Sequence, residues 1–188
     1  MATRLNLIVH LGMDAQSTAT KHIQLEEITD NSSAGSLTAA RELLLEYGQF
    51  VIANPESAGF CYGTLEQEVA HLPFSYLEKQ GGCLIARVDN EAAGFVGWRA
   101  VPATVAADAL ELKRLWVRPW ARGLKLGRIL TQAVIDRAVK AGRDAIYLDT
   151  VPAAMDSAHR LYISMGFEAC DPYNNTPVEG LVWMVKRL

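Results

Sequence analysis

The chain reads as an α/β domain in which a mixed β-sheet is covered by helices. Three observations carry that reading. The order of elements is strand, two helices, three strands, helix, strand, helix and two late strands, so a meander precedes a β-α-β-α-β run. The length, 188 residues, suits one domain, and with half the residues hydrophobic it can bury a real core. Finally, an apolar strand at residues 115–117 runs into a loop rich in Gly and Arg that opens a strongly patterned helix.

Each element has its own signal. Residues 22–28 alternate loosely and suit a first strand, and residues 30–35 form a turn. Leu37, Ala40, Leu44, Tyr47 and Val51 recur at helical spacing, and Asn54-Pro55 stops that helix. Thr64-Leu-Glu-Gln67 fits a capping box and starts a short helix carrying Leu65, Val69 and Leu72, which Pro73 ends. Residues 83–88, 93–101 and 110–117 read as three strands, the first two joined by a turn at Asp89-Asn90. A long helix follows with Leu126, Ile129, Leu130, Ala133, Val134, Ala138 and Ala141 on one side, and Gly142 suits its C-terminal cap. Residues 145–148 make a short buried strand. Ala154, Ala158, Leu161, Tyr162 and Met165 mark a last helix capped by Gly166, and Phe167 and residues 181–188 supply late strands.

The strand at 110–117 changes phase. Leu110 and Leu112 are in step, and so are Leu115 and Val117, but with opposite parity. A regular strand has a side-chain period of two and cannot bury both pairs on one face. One extra residue near Lys113-Arg114 repairs the pattern, which is a β-bulge. Such a bulge bends the strand and opens a gap toward the next one. The alternative is that Leu112 sits on the second face of a sheet covered on both sides.

The loop after that strand is an anion site in outline. The first N–H groups of a helix lack partners inside it, and the helix dipole adds partial positive charge there. Residues 113–128 hold six Lys or Arg and no acid, in a chain of net charge −3. Local positive charge in a mildly acidic chain suits a small anionic ligand, here a pyrophosphate, and argues against bulk nucleic-acid binding.

Other classes are disfavoured. Cys61, Cys83 and Cys170 lie far apart, which opposes a disulfide framework or zinc ribbon and makes reduced cytosol the expected compartment. His10, His22, His71 and His159 show no metal-ligand spacing, so no metal is expected. No apolar run approaches the roughly 18 residues of a membrane span. Residues 5–11 are apolar but broken by Asn6 and His10, and they make a poor signal peptide. Residues 1–21 are therefore either an extra edge strand or a loose extension, with residues 14–21 as a polar linker, ahead of a domain at 22–188.

These residues resemble the GCN5-related N-acetyltransferase (GNAT) superfamily. Its signature, Arg/Gln-x-x-Gly-x-Gly/Ala at a strand-to-helix junction, has its counterpart in Arg122-Gly123-Leu124-Lys125-Leu126-Gly127. A second signature, Leu-Tyr-x-x-x-Gly-Phe, has its counterpart in Leu161-Tyr162-Ile-Ser-Met-Gly166-Phe167, about 40 residues later. The run from Glu111 to Pro119 and the tail from Pro172 to Gly180 look like one branch of the family. Two positions depart: Lys125 stands where the first motif glycine usually sits, and Met155 replaces an Asn often found seven residues before the Tyr.

The resemblance implies a mixed, mostly antiparallel sheet with a splayed central strand pair, flanked by about four helices. It implies that Arg122, Gly123, Leu124, Lys125, Leu126, Gly127 and Arg128 cradle the pyrophosphate of acetyl-CoA. It also implies that the main chain of Leu115 and Val117 pairs with the pantetheine arm, with Trp116 between them, and that the Val117 N–H polarises the thioester carbonyl. Glu111 is the candidate general base, against a plain ion pair with a neighbouring Arg or Lys. Tyr162 is the candidate general acid for the departing thiolate, against a core aromatic; phenol and thiol have ordinary pKa values of about 10 and 8.5. Trp98, Tyr62, Phe60 and Tyr173 are candidates for an acceptor pocket, with packing the simpler reading of each. Asn175 and Glu179 fall in the loop where an acceptor would approach.

The expectation is an acetyl-CoA-dependent N-acetyltransferase that moves the acetyl group to a primary amine, of a small molecule or a protein, by direct attack in a ternary complex. No membrane, nucleic-acid or metal partner is expected, and dimerisation through the late strands is left open. The alternative is a noncatalytic acyl-CoA-binding module that regulates a partner.

Overall fold

The computed structural model describes residues 4–10, 20–57, 65–176 and 178–188. Its sheet has eight strands: β1 (Arg4–His10), β2 (Thr20–Ile28), β3 (Gly82–Val88), β4 (Glu91–Ala100), β5 (Ala109–Val117), β6 (Ala145–Thr150), β7 (Glu168–Ala169) and β8 (Val182–Arg187). Their order is β1-β2-β3-β4-β5-β6-β8-β7. Every neighbouring pair is antiparallel except β5 and β6, which run parallel. The helices are α1 (Ala34–Ala53), α2 (Leu65–Ala70), α3 (Phe74–Leu77), α4 (Leu126–Lys140) and α5 (Pro152–Ser164).

The sheet separates two apolar layers. Leu126, Leu130, Val134 and Ala138 of α4, with Tyr162 of α5 and Met165 just after it, pack on one face against Leu84, Val96, Leu110 and Ile146. Leu43, Leu44, Tyr47 and Val51 of α1, with Leu65 and Tyr76 of α2 and α3, pack on the other against Ile85, Phe95 and Trp116. The hydrophobic periodicity of each helix is what assigns it to a face. Local chemistry sets the ends. Ser33 caps α1 by accepting the Ser36 N–H at 3.1 Å. Gly142 and Gly166 follow α4 and α5 with φ of 66° and 82°. Asp89 and Asn90 both have positive φ, as the tight β3–β4 hairpin demands.

The N-terminal segment takes one of its two expected forms, an edge strand, β1, along β2. Two points differ from the sequence expectation. β2 itself starts at Thr20, two residues before the expected boundary. A one-turn helix, α3, also follows Pro73, where the sequence reading ended the helical region. The capping box at Thr64 and residue Cys61 lie outside the described residues.

The phase change in β5 is a bulge. Gly97 of β4 pairs with Lys113 and Phe95 pairs with Trp116, so two residues of β5, Arg114 and Leu115, oppose the single Val96. Arg114 sits at φ 59°, the left-handed region. The extra residue brings Leu110, Leu112, Leu115 and Val117 onto the same apolar layer, as the pattern required. Trp116 is turned into the opposite layer.

Candidate active site

β5 and β6 pair over three residues only, Ala109↔Ala145, Leu110↔Ile146 and Glu111↔Tyr147. Beyond Glu111 the strands part, and β5 continues through the bulge to Val117 alone on that side. The Arg118 N–H donates to Ala93 O of the β4 side at 2.9 Å. Alternation along an antiparallel strand therefore turns the main-chain groups of Leu115 and Val117 away from β4, into the opening.

A cleft of about 410 Å³ occupies this opening. Its floor is Leu115, Trp116 and Val117, and its rim is Arg122, Gly123, Lys125, Leu126, Gly127 and Arg128 at the start of α4. The opposite wall is α5, from Ala154 to Leu161, and α1 adds Tyr47 and Phe50. The fold thus gathers every residue expected to hold the cofactor except Leu124. That side chain packs against the core, and its N–H is taken by Ala121 O at 3.4 Å.

The rim fits an anion. No side chain caps the N-terminus of α4, and the first amides of a helix have no partner within it. Lys125 occupies the cap position at φ 60°, which explains why a glycine suits it: the left-handed conformation is costly for a side chain. Gly127 stands where α4 meets α5; a Cβ there would lie 3.2 Å from Leu161 Cδ2. Arg122 lies over the Trp116 ring at 5.5 Å, and Arg128 donates to Ser164 Oγ at 2.6 Å.

Helix α1 is pinned to this floor. Trp116 Nε1 donates to Glu46 at 3.2 Å, and Arg118 forks onto the same carboxylate at 2.7 to 3.1 Å. Burial pushes the Glu46 carboxyl up, but the Arg118 and Trp116 donors outweigh it and hold it below the usual range. Arg114 in the bulge forks onto Glu68 of α2 at 2.9 and 3.0 Å and lies over the Tyr47 ring.

Glu111 is nearly fully buried and surrounded by donors. Oε2 accepts from Arg99 Nε at 2.6 Å, and Oε1 accepts from Lys113 Nζ at 3.2 Å and from Tyr173 OH at 3.0 Å. Burial pushes its pKa up, yet Lys113 and Arg99 more than offset that and hold it below the ordinary range. Lys113 also reaches Asp149 Oδ1 at 3.2 Å, bridging β5 and β6 where their ladder has ended. Asn174 donates to Asp149 at 2.8 Å and accepts from Trp183 Nε1 at 3.0 Å, which ties the late loop to the same cluster.

Tyr162 lies against Phe167, ring centroids 5.6 Å apart, and lines a small chamber at the inner end of the cleft. Burial raises its pKa, and Asp149 adds to that, so the phenol keeps its proton at neutral pH. Of the aromatic candidates for an acceptor pocket, Tyr173 reaches Glu111, whereas Trp98 packs in the α4 layer under Arg137. Phe60 and Tyr62 lie outside the described residues. Among the described residues no group of three or more His, Cys, Asp or Glu could hold a metal ion, and no helix is long and apolar enough to cross a membrane. Tyr47, Phe50 and Ala158 are lining residues that sequence reasoning missed, because their spacing looks like ordinary core.

A mixed sheet with one parted parallel pair, and an uncapped helix start beside it, is the arrangement that the sequence resemblance implies. A sequence profile of the acetyltransferase (GNAT) family matches residues 42–167, and the chain belongs to that family. It is 34% identical over 123 residues to an uncharacterised N-acetyltransferase of Schizosaccharomyces pombe, covering 65% of this chain and 74% of that one. It is 33% identical over 114 residues to the probable N-acetyltransferase camello of Xenopus tropicalis, covering 60% of this chain and about half, 51%, of the frog protein. The PaiA N-acetyltransferase of Thermoplasma acidophilum in complex with coenzyme A has the same fold, with TM-score 0.66 and 19% identity over 88% of this chain and 99% of that one.

Proposed function

We propose that the chain transfers the acetyl group of acetyl-CoA to a primary amine by direct attack in a ternary complex. The observation that carries this is the cleft itself: an uncapped helix start at one end, unpaired β5 main chain along its floor, and a buried phenol at its inner end. The amides of Leu126, Gly127 and Arg128, with the Lys125 and Arg122 charges, hold the pyrophosphate. Main-chain groups of Leu115 and Val117 orient the pantetheine arm, and the Val117 N–H polarises the thioester carbonyl. Acetyl-CoA supplies an activated acyl carbon on a good leaving group.

The chemistry balances as follows. The amine lone pair forms a C–N bond to the acyl carbon, the C–S bond breaks, Tyr162 protonates the departing thiolate, and the attacking nitrogen gives up its extra proton, which returns the Tyr162 phenolate to the phenol. The ammonium form of the acceptor must first lose a proton, and Glu111 takes it through water. Three donors already face that carboxylate, so it is a weak base and favours acceptors that are partly neutral at working pH. The acceptor is the amine of a small molecule or of a protein. The Glu111–Asp149 cluster with Tyr173 and Asn174 forms its approach side.

A panel of primary amines, scored by free-thiol release from acetyl-CoA, tests this reading. Turnover with at least one amine class, beside saturable CoA binding by calorimetry, is the expected result. CoA binding with no turnover across small amines and peptide N-termini would make the chain a regulatory binding module instead.

A further inference from the structure

Where β5 and β6 still pair, side chains from three strands stand in one row. Arg99 of β4 is the cross-strand partner of Glu111, and Glu111 is that of Tyr147 on β6. Directly paired residues project from the same face of a sheet, so Arg99 lies beside the candidate base. Both oxygens of that carboxylate are occupied, but the arginine is not fully used. Its Nε is fixed on Glu111 Oε2 at 2.6 Å, while Nη1 and Nη2 have no partner among the described residues. The Arg99 side chain is 31% exposed, against 2% for the carboxylate that holds it. We propose that these terminal nitrogens bind a carboxylate of the acceptor, so that the acceptor is a free amino acid. The inference rests on the reading that the chain acetylates an amine.

The geometry selects that class. An arginine held at Nε still presents two parallel N–H groups on its Nη edge, which match a carboxylate at two points. Glu111 sets the direction. Its Oε1 faces Lys113 and Tyr173, and its Oε2 faces Arg99. Lys113 also lines the inner chamber with Tyr162, so the reacting amine belongs on the Oε1 side. The open guanidinium edge lies on the other side, about one carboxylate's width away. A single amino acid spans that distance. A protein N-terminus has an uncharged amide where the acid group would be.

Charge points the same way. Glu111 is paired with Arg99 and Lys113, Asp149 with Lys113, and Glu68 with Arg114. The second ammonium of a diamine would have to displace one of these pairs. An incoming carboxylate gives Arg99 a second partner and breaks none.

Initial rates of the full chain with acetyl-CoA test this on the standard amino acids and their C-terminal amides. Phenethylamine and putrescine serve as amines that carry no acid group. The amine of an amide is less basic and more often neutral, which makes it the better acceptor if the carboxylate goes unread. Wild type should instead favour at least one acid over its amide by about tenfold in kcat/KM, the scale of a hydrogen bond to a charged group. Arg99→Lys keeps a cation beside Glu111 but loses the fork. It should bring acid and amide within about threefold, mainly by raising KM for the acid. Amides, phenethylamine or putrescine matching the best acid in wild type overturn the proposal. So does an equal fall for acid and amide in folded Arg99→Lys, which would leave Arg99 as a counter-ion of Glu111. The wild-type comparison decides the matter even where the variant fails to fold. No turnover of any amine, with CoA binding intact, would instead sink the acetyltransferase reading and this inference with it.

Discussion

Glu111 and Tyr162 were both expected to move protons, and their surroundings differ. Tyr162 keeps its phenol protonated through burial, faces open space in the chamber, and loses only a hydroxyl on replacement by Phe. Tyr162→Phe should lower kcat about a hundredfold, in line with loss of general-acid help, while leaving the acetyl-CoA Kd and the thermal midpoint near wild type. Steady-state kinetics beside calorimetry would show that split; unchanged kcat would return Tyr162 to the core. Glu111 instead holds Arg99 and Lys113 together, so Glu111→Gln takes the carboxylate from Arg99 and leaves the buried Lys113 with Asp149 alone. That change should cost about 3 kcal/mol of stability by urea unfolding as well as activity. A variant as stable as wild type would mean the cations find other partners. At this scale the sequence showed which residues to inspect. It did not show that the carboxylate is saturated, because Arg99 and Tyr173 come from distant positions.

Among the elements, β5 does the most. Its bulge parts it from β6, turns Leu115 and Val117 toward the cleft layer, and places Arg114 at positive φ, where it anchors α2 through Glu68. Two substitutions separate the backbone from the side chain. Both Arg114→Ala and Arg114→Gly lose the ion pair, but only glycine is relaxed at φ 59°, so the glycine variant should be more stable by about 1 kcal/mol. Equal stabilities would show that the strand can shed its bulge. The start of α4 offers a second check. Gly127→Val would push into Leu161 and fill the rim, and should abolish the heat of CoA binding while circular dichroism stays native. Undiminished binding would move the pyrophosphate elsewhere. The bulge could be read from the parity of four apolar residues, since side-chain alternation is a property of the strand alone. The one-turn α3 could not, since a four-residue helix has no period to read.

For the molecule as a whole, stability should depend on acid. Glu46, Glu68 and Glu111 each sit below the ordinary glutamate value of 4.5 because, in each, Arg or Lys partners outweigh the opposing effect of burial. A carboxylate whose folded pKa is depressed contributes fully above its unfolded pKa and loses that contribution as pH falls through the folded one. The urea midpoint should therefore be flat near neutrality and drop below about pH 4.5, and a midpoint that held steady into stronger acid would show these pairs to be idle. The three ion pairs join α1 to the end of β5, α2 to its bulge, and β4 to its paired part, so two of them link elements far apart in the chain and the third links neighbouring strands. The sequence by itself determined the layers, the bulge, the glycine-containing loop that opens α4 and the family, because each is written in local periodicity or a short motif. Only the tertiary structure decided which side chains close the cleft, how Glu111 is paired, and how small the inner chamber is. Those depend on packing between α1, α5 and the parted strands, and spacing along one chain carries no measure of distance across it.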